Sequence, residues 1–272
     1  MSETGCFTSD SNQLAYSCTI PTGTCKNCGI LFVHAAGGNR LGPHRMFVEL
    51  ANRFNTLGYT TFRFDMRGCG YSTGEAAQGD FEAEIKDLTS AIDLFIDRFK
   101  LESVILFGIS RGARICYSSM ARKKLPLKGM ILLSMPVSSV SSAVKSLGSS
   151  LKEYFRKFTS KKHLHKLLTG KANLRQIGIT LLTAVGIGRR YKQIEPDNFA
   201  SNCPALLIYG GHDPIAEESH RYYTAKYRQN AISYDCHFIP QANHSFFHYK
   251  WKDEIFEVSH KWLEKIELEI SK

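Results

Sequence analysis

Short apolar runs alternate along this chain with longer segments in which apolar residues recur every three or four positions. The short runs predict buried strands, and the longer segments predict helices that pack one face on a sheet. The predicted strands are Gly29–Val33, Thr60–Phe64, Val104–Phe107, Gly129–Leu133, Ala205–Tyr209 and Tyr234–Phe238. The predicted helices run from about Pro43 to Leu57, over residues 80–99, directly after residue 112, and through the segment containing Trp251, Ile255, Trp262 and Ile266.

Strands that alternate with helices predict an α/β fold with a mostly parallel central sheet and helices on both faces. Residues 5–20 are predicted to add an antiparallel hairpin at the amino-terminal end, with its turn at residues 9–12. In such sheets the functional sites lie at the carboxyl ends of the strands. The loops that follow the strands are therefore where candidate chemistry is expected.

The most specific motif is Gly108-Ile109-Ser110-Arg111-Gly112, directly behind a predicted strand. A G-x-S-x-G sequence between a strand and a helix is typical of a nucleophile elbow, where the chain reverses sharply and exposes the serine hydroxyl. The flanking glycines omit Cβ atoms that would crowd the adjacent strand and helix. Ser110 is thus the predicted nucleophile, and the alternative is a small residue in a glycine-rich turn.

A serine hydroxyl needs a base, and the base needs an acid that orients it. In folds with a nucleophile elbow of this kind, the acid and then the histidine follow the serine along the chain. Asp213 follows the strand Ala205–Tyr209, and His244 follows the strand Tyr234–Phe238. Asp213 and His244 are therefore the predicted partners of Ser110.

Each partner has a competitor. The alternative role of Asp213 is to cap the helix that follows Pro214. Asp65, at the end of another strand, is a second candidate for the acid. His237 and His248 flank the loop of His244, but the first falls within a predicted strand and the second within a predicted helix.

The chain resembles the α/β-hydrolase superfamily, and within it the serine-aminopeptidase-like and exosortase-associated hydrolases. The residues that carry the resemblance are segments 33–38 (VHAAGG), 42–45 (GPHR) and 62–72 (FRFDMRGCGYS), together with the elbow. It covers about residues 28–135 and 203–267. Ala35 stands where the family usually has glycine, and an alanine does not enter positive φ freely.

Acyl transfer at a serine needs preorganised donors for the oxyanion of the tetrahedral intermediate. The backbone N–H of Arg111, directly after the nucleophile, is one predicted donor. The loop after the first core strand supplies the second, Ala36, with Ala35 as its neighbouring candidate. This chemistry requires neither a metal nor a cofactor.

Three further residues are candidate substrate contacts: His34, Arg40 and His44. Arg40, His44 and the adjacent Arg45 carry groups that bind a carboxylate or phosphate, with solvation at a helix start as the alternative. His34 has an alternative role as a structural residue that hydrogen-bonds its own loop.

Residues 137–199 break the alternation and are predicted to form a helical cap between an amino-terminal core part, residues 1–136, and a carboxyl-terminal core part, residues 200–272. The cap segment holds 12 Lys or Arg against 3 Asp or Glu, a balance of +9 in a chain of net charge +10. Its basic face is either solvated or attracts an anionic partner, such as an acyl-carrier protein, a coenzyme A ester or a lipid headgroup. No recognised nucleic-acid-binding motif accompanies the charge, which argues against nucleic acid.

The 8 cysteines fit reduced, mostly buried thiols. Cys25 and Cys28 form a C-x-x-C that Cys6 and Cys18 would complete as a zinc site, but no second C-x-x-C is present. The first residues have no signal-peptide pattern, and no apolar run is long enough for a transmembrane helix, which predicts a cytoplasmic protein.

The sequence thus predicts a serine hydrolase that cleaves a small-molecule carboxylic ester or thioester through an acyl-enzyme intermediate. The alternatives are other chemistry on the same triad (acyltransferase, peptidase, lyase or cofactor-free haloperoxidase) and a non-catalytic protein that binds an anionic partner through its basic cap. Retention of all three triad residues argues against the last, because binding alone does not require them.

Overall fold

The computed structural model describes residues 1–76, 81–120, 125–137 and 203–270. Within these ranges, eight strands form a single sheet in the order β1-β2-β4-β3-β5-β6-β7-β8. The strands are β1 Ser2–Ser9, β2 Asn12–Thr19, β3 Cys28–Val33, β4 Thr61–Phe64, β5 Ser103–Ile109, β6 Leu127–Leu133, β7 Ala205–Gly210 and β8 Tyr234–Ile239. Strands β3 to β8 pair in parallel, whereas β1 and β2 add an antiparallel edge.

Five α-helices are described: α1 Met46–Thr56, α2 Phe81–Phe99, α3 Arg111–Ser119, α4 Ala216–Gln229 and α5 Tyr249–Ile270. Helices α1 and α5 bury apolar residues in one cluster with Ile30 and Phe32 of β3. On the opposite face, Phe95 of α2 packs on Phe62 of β4, at 5.1 Å between ring centroids. The prediction of a mostly parallel sheet covered on both faces is confirmed.

The start of the first helix differs from the prediction. Pro43–Arg45 forms a 3-10 turn, and α1 begins only at Met46, because His44 and Arg45 have left-handed backbones with φ of 48° and 60°. The carbonyl of His44 accepts a hydrogen bond from Nζ of Lys252 on α5, at 3.3 Å. The kink is thus supported by a residue more than 200 positions away in sequence.

The predicted cap, residues 137–199, lies outside the described residues apart from Val137. Its helices, its boundaries with the two core parts and its role in binding therefore stay predictions. Among the helices of the described ranges, none combines the length and the apolar character that crossing a membrane requires.

Candidate active site

Ser110 lies at the apex of the turn between β5 and α3, as the elbow motif predicts. Its backbone has φ of 53° and ψ of −119°, which is uncommon for a residue with a side chain. The turn is tight because glycines leave it space: a Cβ on Gly108 would lie 2.6 Å from the backbone of Ala113, and one on Gly112 would lie 2.1 Å from the carbonyl oxygen of Val33. The Ser110 N–H donates to the Leu133 carbonyl of the next strand, at 2.8 Å.

The structure brings together the three side chains predicted to form a triad. Nε2 of His244 lies 3.0 Å from Oγ of Ser110, and Nδ1 of His244 lies 2.8 Å from Oδ2 of Asp213. The other Asp213 oxygen accepts the backbone N–H of Ile215 at 3.2 Å. Because an ionised carboxylate only accepts hydrogen bonds, the proton of a neutral imidazole lies on Nδ1, and Nε2 is available to accept the serine proton.

The loops that carry Asp213 and His244 are joined by backbone hydrogen bonds. Gly211 N–H donates to the Ile239 carbonyl, and His212 N–H donates to the Ala242 carbonyl, each at 2.9 Å. A Cβ on Gly210 would lie 2.4 Å from that Ala242 oxygen. The close approach of the two loops therefore depends on the Gly-Gly pair before His212.

The loop after β3 holds the two alanines proposed as oxyanion donors. Ala36 is exposed and Ala35 half-buried, and the carbonyl of Ala35 accepts the N–H of Gly38 at 3.0 Å. The left-handed position in this turn is Gly37, with φ of 66°. Ala35, which stands where the family usually has glycine, therefore does not have to adopt a positive φ.

His34 lies below this loop and is 2% exposed. Its Nδ1 donates to the Ala35 carbonyl at 2.8 Å, and its Nε2 accepts the backbone N–H of Met66 at 3.1 Å. Burial lowers the pKa of the imidazole, although its bond to Ala35 acts in the opposite direction. Both ring nitrogens are occupied by backbone groups, which favours a role in shaping the loop over substrate contact.

Arg40 has a partner within the protein. Its guanidinium bonds to the fully buried carboxylate of Asp65 and donates from Nε to Ser17 Oγ at 3.1 Å. Asp65 also accepts the backbone N–H of Tyr71 at 2.9 Å. The pair therefore joins the loops after β3 and β4, and this geometry accounts for both residues without a substrate or a role for Asp65 as the triad acid.

His44 is exposed, and its ring centroid lies 6.0 Å from that of Phe247, three residues after His244. Within the part of the chain that the structure describes, His44 and the adjacent Arg45 are exposed. The competing base His237 bonds instead to Glu254 of α5, at 2.7 Å.

Sequence reasoning missed Glu84, a buried acid on α2 that bonds to Arg111. A signal was present, because Glu84 lies three residues after Phe81 and one before Ile85, on the helix face that the apolar pattern buries. A charged residue at such a position indicates a buried partner.

The zinc alternative finds no support in the described part of the chain, where no cluster of three or more His, Cys, Asp or Glu is arranged to hold a metal ion. Cys6 and Cys25 are exposed, whereas Cys18 and Cys28 are buried. Burial raises the pKa of Cys18 and of Cys28, which disfavours the thiolate that a metal requires.

The sequence matches the family described as serine aminopeptidase, S33, over residues 39–249, which is more than half of the chain. No curated protein matches the sequence significantly.

Solved structures resemble the fold at low sequence identity. An esterase from Pyrococcus furiosus has a TM-score of 0.72 and 17% identity, covering 97% of this chain and 91% of its own. A proline iminopeptidase from Mycobacterium smegmatis has a TM-score of 0.65 and 14% identity, covering 98% and 100%. An α/β serine hydrolase without lid from Xanthomonas campestris has a TM-score of 0.62 and 15% identity, covering 96% and 94%. With the family match over most of its length and this sheet, the chain belongs to the serine aminopeptidase, S33, family of α/β hydrolases.

Proposed function

We propose that this protein is a serine hydrolase that cleaves a carboxylic ester or thioester of a small molecule through an acyl-enzyme on Ser110. The observation that carries the proposal is the continuous hydrogen-bonded path from Ser110 Oγ through His244 to Asp213, with distances of 3.0 and 2.8 Å. These distances lie within the range in which a base takes a proton from a nucleophile.

In the proposed first step, Ser110 Oγ attacks the acyl carbonyl while His244 Nε2 takes the hydroxyl proton. Asp213 holds the imidazole tautomer and stabilises the imidazolium that forms. The imidazolium then protonates the leaving alcohol or thiol as the tetrahedral intermediate collapses to the acyl-enzyme. Water, deprotonated by the same His244, releases the acid and restores the serine.

The negative oxygen of each tetrahedral intermediate needs donors that are already in place. The proposed donors are the backbone N–H groups of Arg111, at the start of α3, and of Ala36 in the loop after β3, with Ala35 as the alternative in that loop. The close approach of Gly112 to Val33 sets the start of α3 against the end of β3. The bonds of His34 to Ala35 and Met66 hold the loop after β3. Loss of one such donor typically costs about 3–4 kcal/mol of transition-state stabilisation.

The test is turnover of a chain-length series of p-nitrophenyl esters and matching acyl thioesters, with Ser110→Ala in parallel. Turnover by the wild type that is lost in Ser110→Ala supports the proposal, and the preferred chain and leaving group define the substrate class. Turnover that survives in Ser110→Ala, or no turnover of any acyl substrate, contradicts it.

Amide or peptide cleavage is the second candidate, because the matched family is described as a serine aminopeptidase and one structural relative is a proline iminopeptidase. The same triad serves both reactions, so the leaving group decides between them. Adding aminoacyl p-nitroanilides with a free and with an acetylated amine separates them: an aminopeptidase turns over the free-amine anilides and not the acetylated ones, whereas an esterase turns over neither at a comparable rate.

A further inference from the structure

A buried ion pair lies directly behind the proposed nucleophile. Nε of Arg111 donates to both carboxylate oxygens of Glu84, at 2.8 and 2.9 Å, and Nη2 donates to Oε2 at 2.5 Å. Arg111 is 8% exposed and Glu84 is 7% exposed. The guanidinium carbon also lies 4.5 Å from the centre of the Phe81 ring. The Arg111 side chain is therefore held by α2 through several contacts.

Stability alone does not account for this pair. Moving a carboxylate and a guanidinium out of water is costly, and well-packed apolar residues in place of a buried ion pair are often as stable or more stable. Ala113, Ile115 and Cys116 on the same helix are buried and apolar. A bidentate pair differs from such packing mainly in fixing direction, because its parallel bonds define one orientation.

The direction that matters here is that of one peptide group. The peptide between Ser110 and Arg111 carries the N–H proposed to bind the oxyanion, and the ψ of Ser110, −119°, sets where this N–H points. Ser110 also has a positive φ of 53°, a conformation that persists only when its surroundings hold it. On the far side of Arg111, Gly112 lies so close to the end of β3 that an added Cβ would be 2.1 Å from the Val33 carbonyl oxygen.

We propose that Glu84 and the side chain of Arg111 are positioning residues for the oxyanion hole. Their ion pair holds the Ser110–Arg111 peptide in the orientation that directs the Arg111 N–H at the developing oxyanion. The inference rests on the proposed function of Ser110. Helix α2 thereby contributes to the rate although neither of the paired side chains contacts the substrate.

The deciding variant is the double substitution Glu84→Gln with Arg111→Met, which removes both charges and keeps similar volumes. Its thermal midpoint is expected to fall less than that of either single substitution, because neither charge is left buried without its partner. Its kcat for a p-nitrophenyl ester is expected to fall by about 10-fold or more with KM changed by less than about 2-fold, because the lost interaction exists only in the transition state. Arg111→Lys, which keeps a charge but loses the fork, is expected to have an intermediate kcat.

A control removes both charges of a second, partly exposed ion pair by Lys26→Met with Glu267→Gln. Lys26 lies just before β3 and Glu267 lies on α5, and their charged atoms are 2.8 Å apart. This control is expected to leave kcat unchanged.

Wild-type kcat in the folded Glu84→Gln, Arg111→Met variant overturns the inference while leaving the serine hydrolase intact. If that variant does not fold, Arg111→Lys decides, and wild-type kcat there overturns the inference. An equal loss of kcat in the control pair also overturns it, because the effect would then follow from general destabilisation. A wild type that turns over no acyl substrate overturns the proposed function and this inference together.

Discussion

Gly112→Ala adds one methyl group at the point where α3 meets the end of β3. The added Cβ would lie 2.1 Å from the carbonyl oxygen of Val33 and 2.6 Å from that of His34. Cβ atoms essentially never approach other heavy atoms within 3.0 Å, so the helix start or the loop has to move by about 0.9 Å. Both obstructing atoms belong to the backbone and therefore cannot turn aside as a side chain would.

The displacement separates the two elements that carry the proposed oxyanion donors, Arg111 and Ala36. Overpacking of this kind costs about 1–3 kcal/mol of folding free energy. A shift near 1 Å at a catalytic group reduces the rate by about 100-fold. We therefore expect Gly112→Ala to fold with a lowered thermal midpoint and to lose kcat/KM for a p-nitrophenyl ester by about that factor.

The assay compares Gly112→Ala with Gly23→Ala, because a Cβ on Gly23 meets no atom within 4 Å and its φ is not positive. Both variants are followed by thermal unfolding and by ester turnover. Wild-type kcat/KM in Gly112→Ala would show that the donors do not depend on this close approach, and an equal loss of activity in Gly23→Ala would show that the loss is not specific to it.

Three further predictions concern His34, the triad acid and the basic cap. Burial lowers the pKa of His34 in the folded chain below the ordinary value of 6.5 that it has in the unfolded chain. The unfolded chain therefore binds the proton first, and the free energy of unfolding falls as the pH drops through 6.5. Urea titrations at several pH values should show that the free energy of unfolding falls less steeply with pH in His34→Asn than in the wild type, by at most about 1.4 kcal/mol per pH unit. Equal slopes in the two proteins would contradict a buried neutral His34. Asp213→Asn should stay folded and lose about 10⁴-fold in kcat, because the imidazole takes the wrong tautomer. Asp65→Asn should have the larger effect on the thermal midpoint, because it removes one partner of a buried ion pair. A larger loss of kcat in Asp65→Asn would make Asp65 the acid. If the basic cap, residues 137–199, binds an anionic carrier, added salt should raise KM steeply for a carrier-bound acyl substrate and little for a neutral ester. Equal changes of KM for the two substrates would contradict carrier binding by the cap.

Much of the core was predictable because its signals are local. Buried parallel strands give continuous apolar runs, and the elbow motif needs only five residues behind one of them. The chain order of Ser110, Asp213 and His244 then selected side chains that the structure brings within hydrogen-bond distance.

The remaining features depend on contacts between distant residues. The left-handed backbone of His44 is supported by Lys252, and Arg40 bonds to Asp65. Glu84 was missed because periodicity was read from apolar positions alone, although it lies on the buried face of α2. Neither composition nor spacing indicates which pairs of charged residues, far apart in sequence, will come into contact.

The most direct test of the central claim is covalent labelling with a fluorophosphonate, followed by intact-mass measurement and peptide mapping. We predict one adduct per chain, located on Ser110. Labelling should be lost in Ser110→Ala and strongly slowed in His244→Ala, because the hydroxyl is then without its base. A folded wild-type protein that takes no label, or an adduct located on another residue, would contradict it.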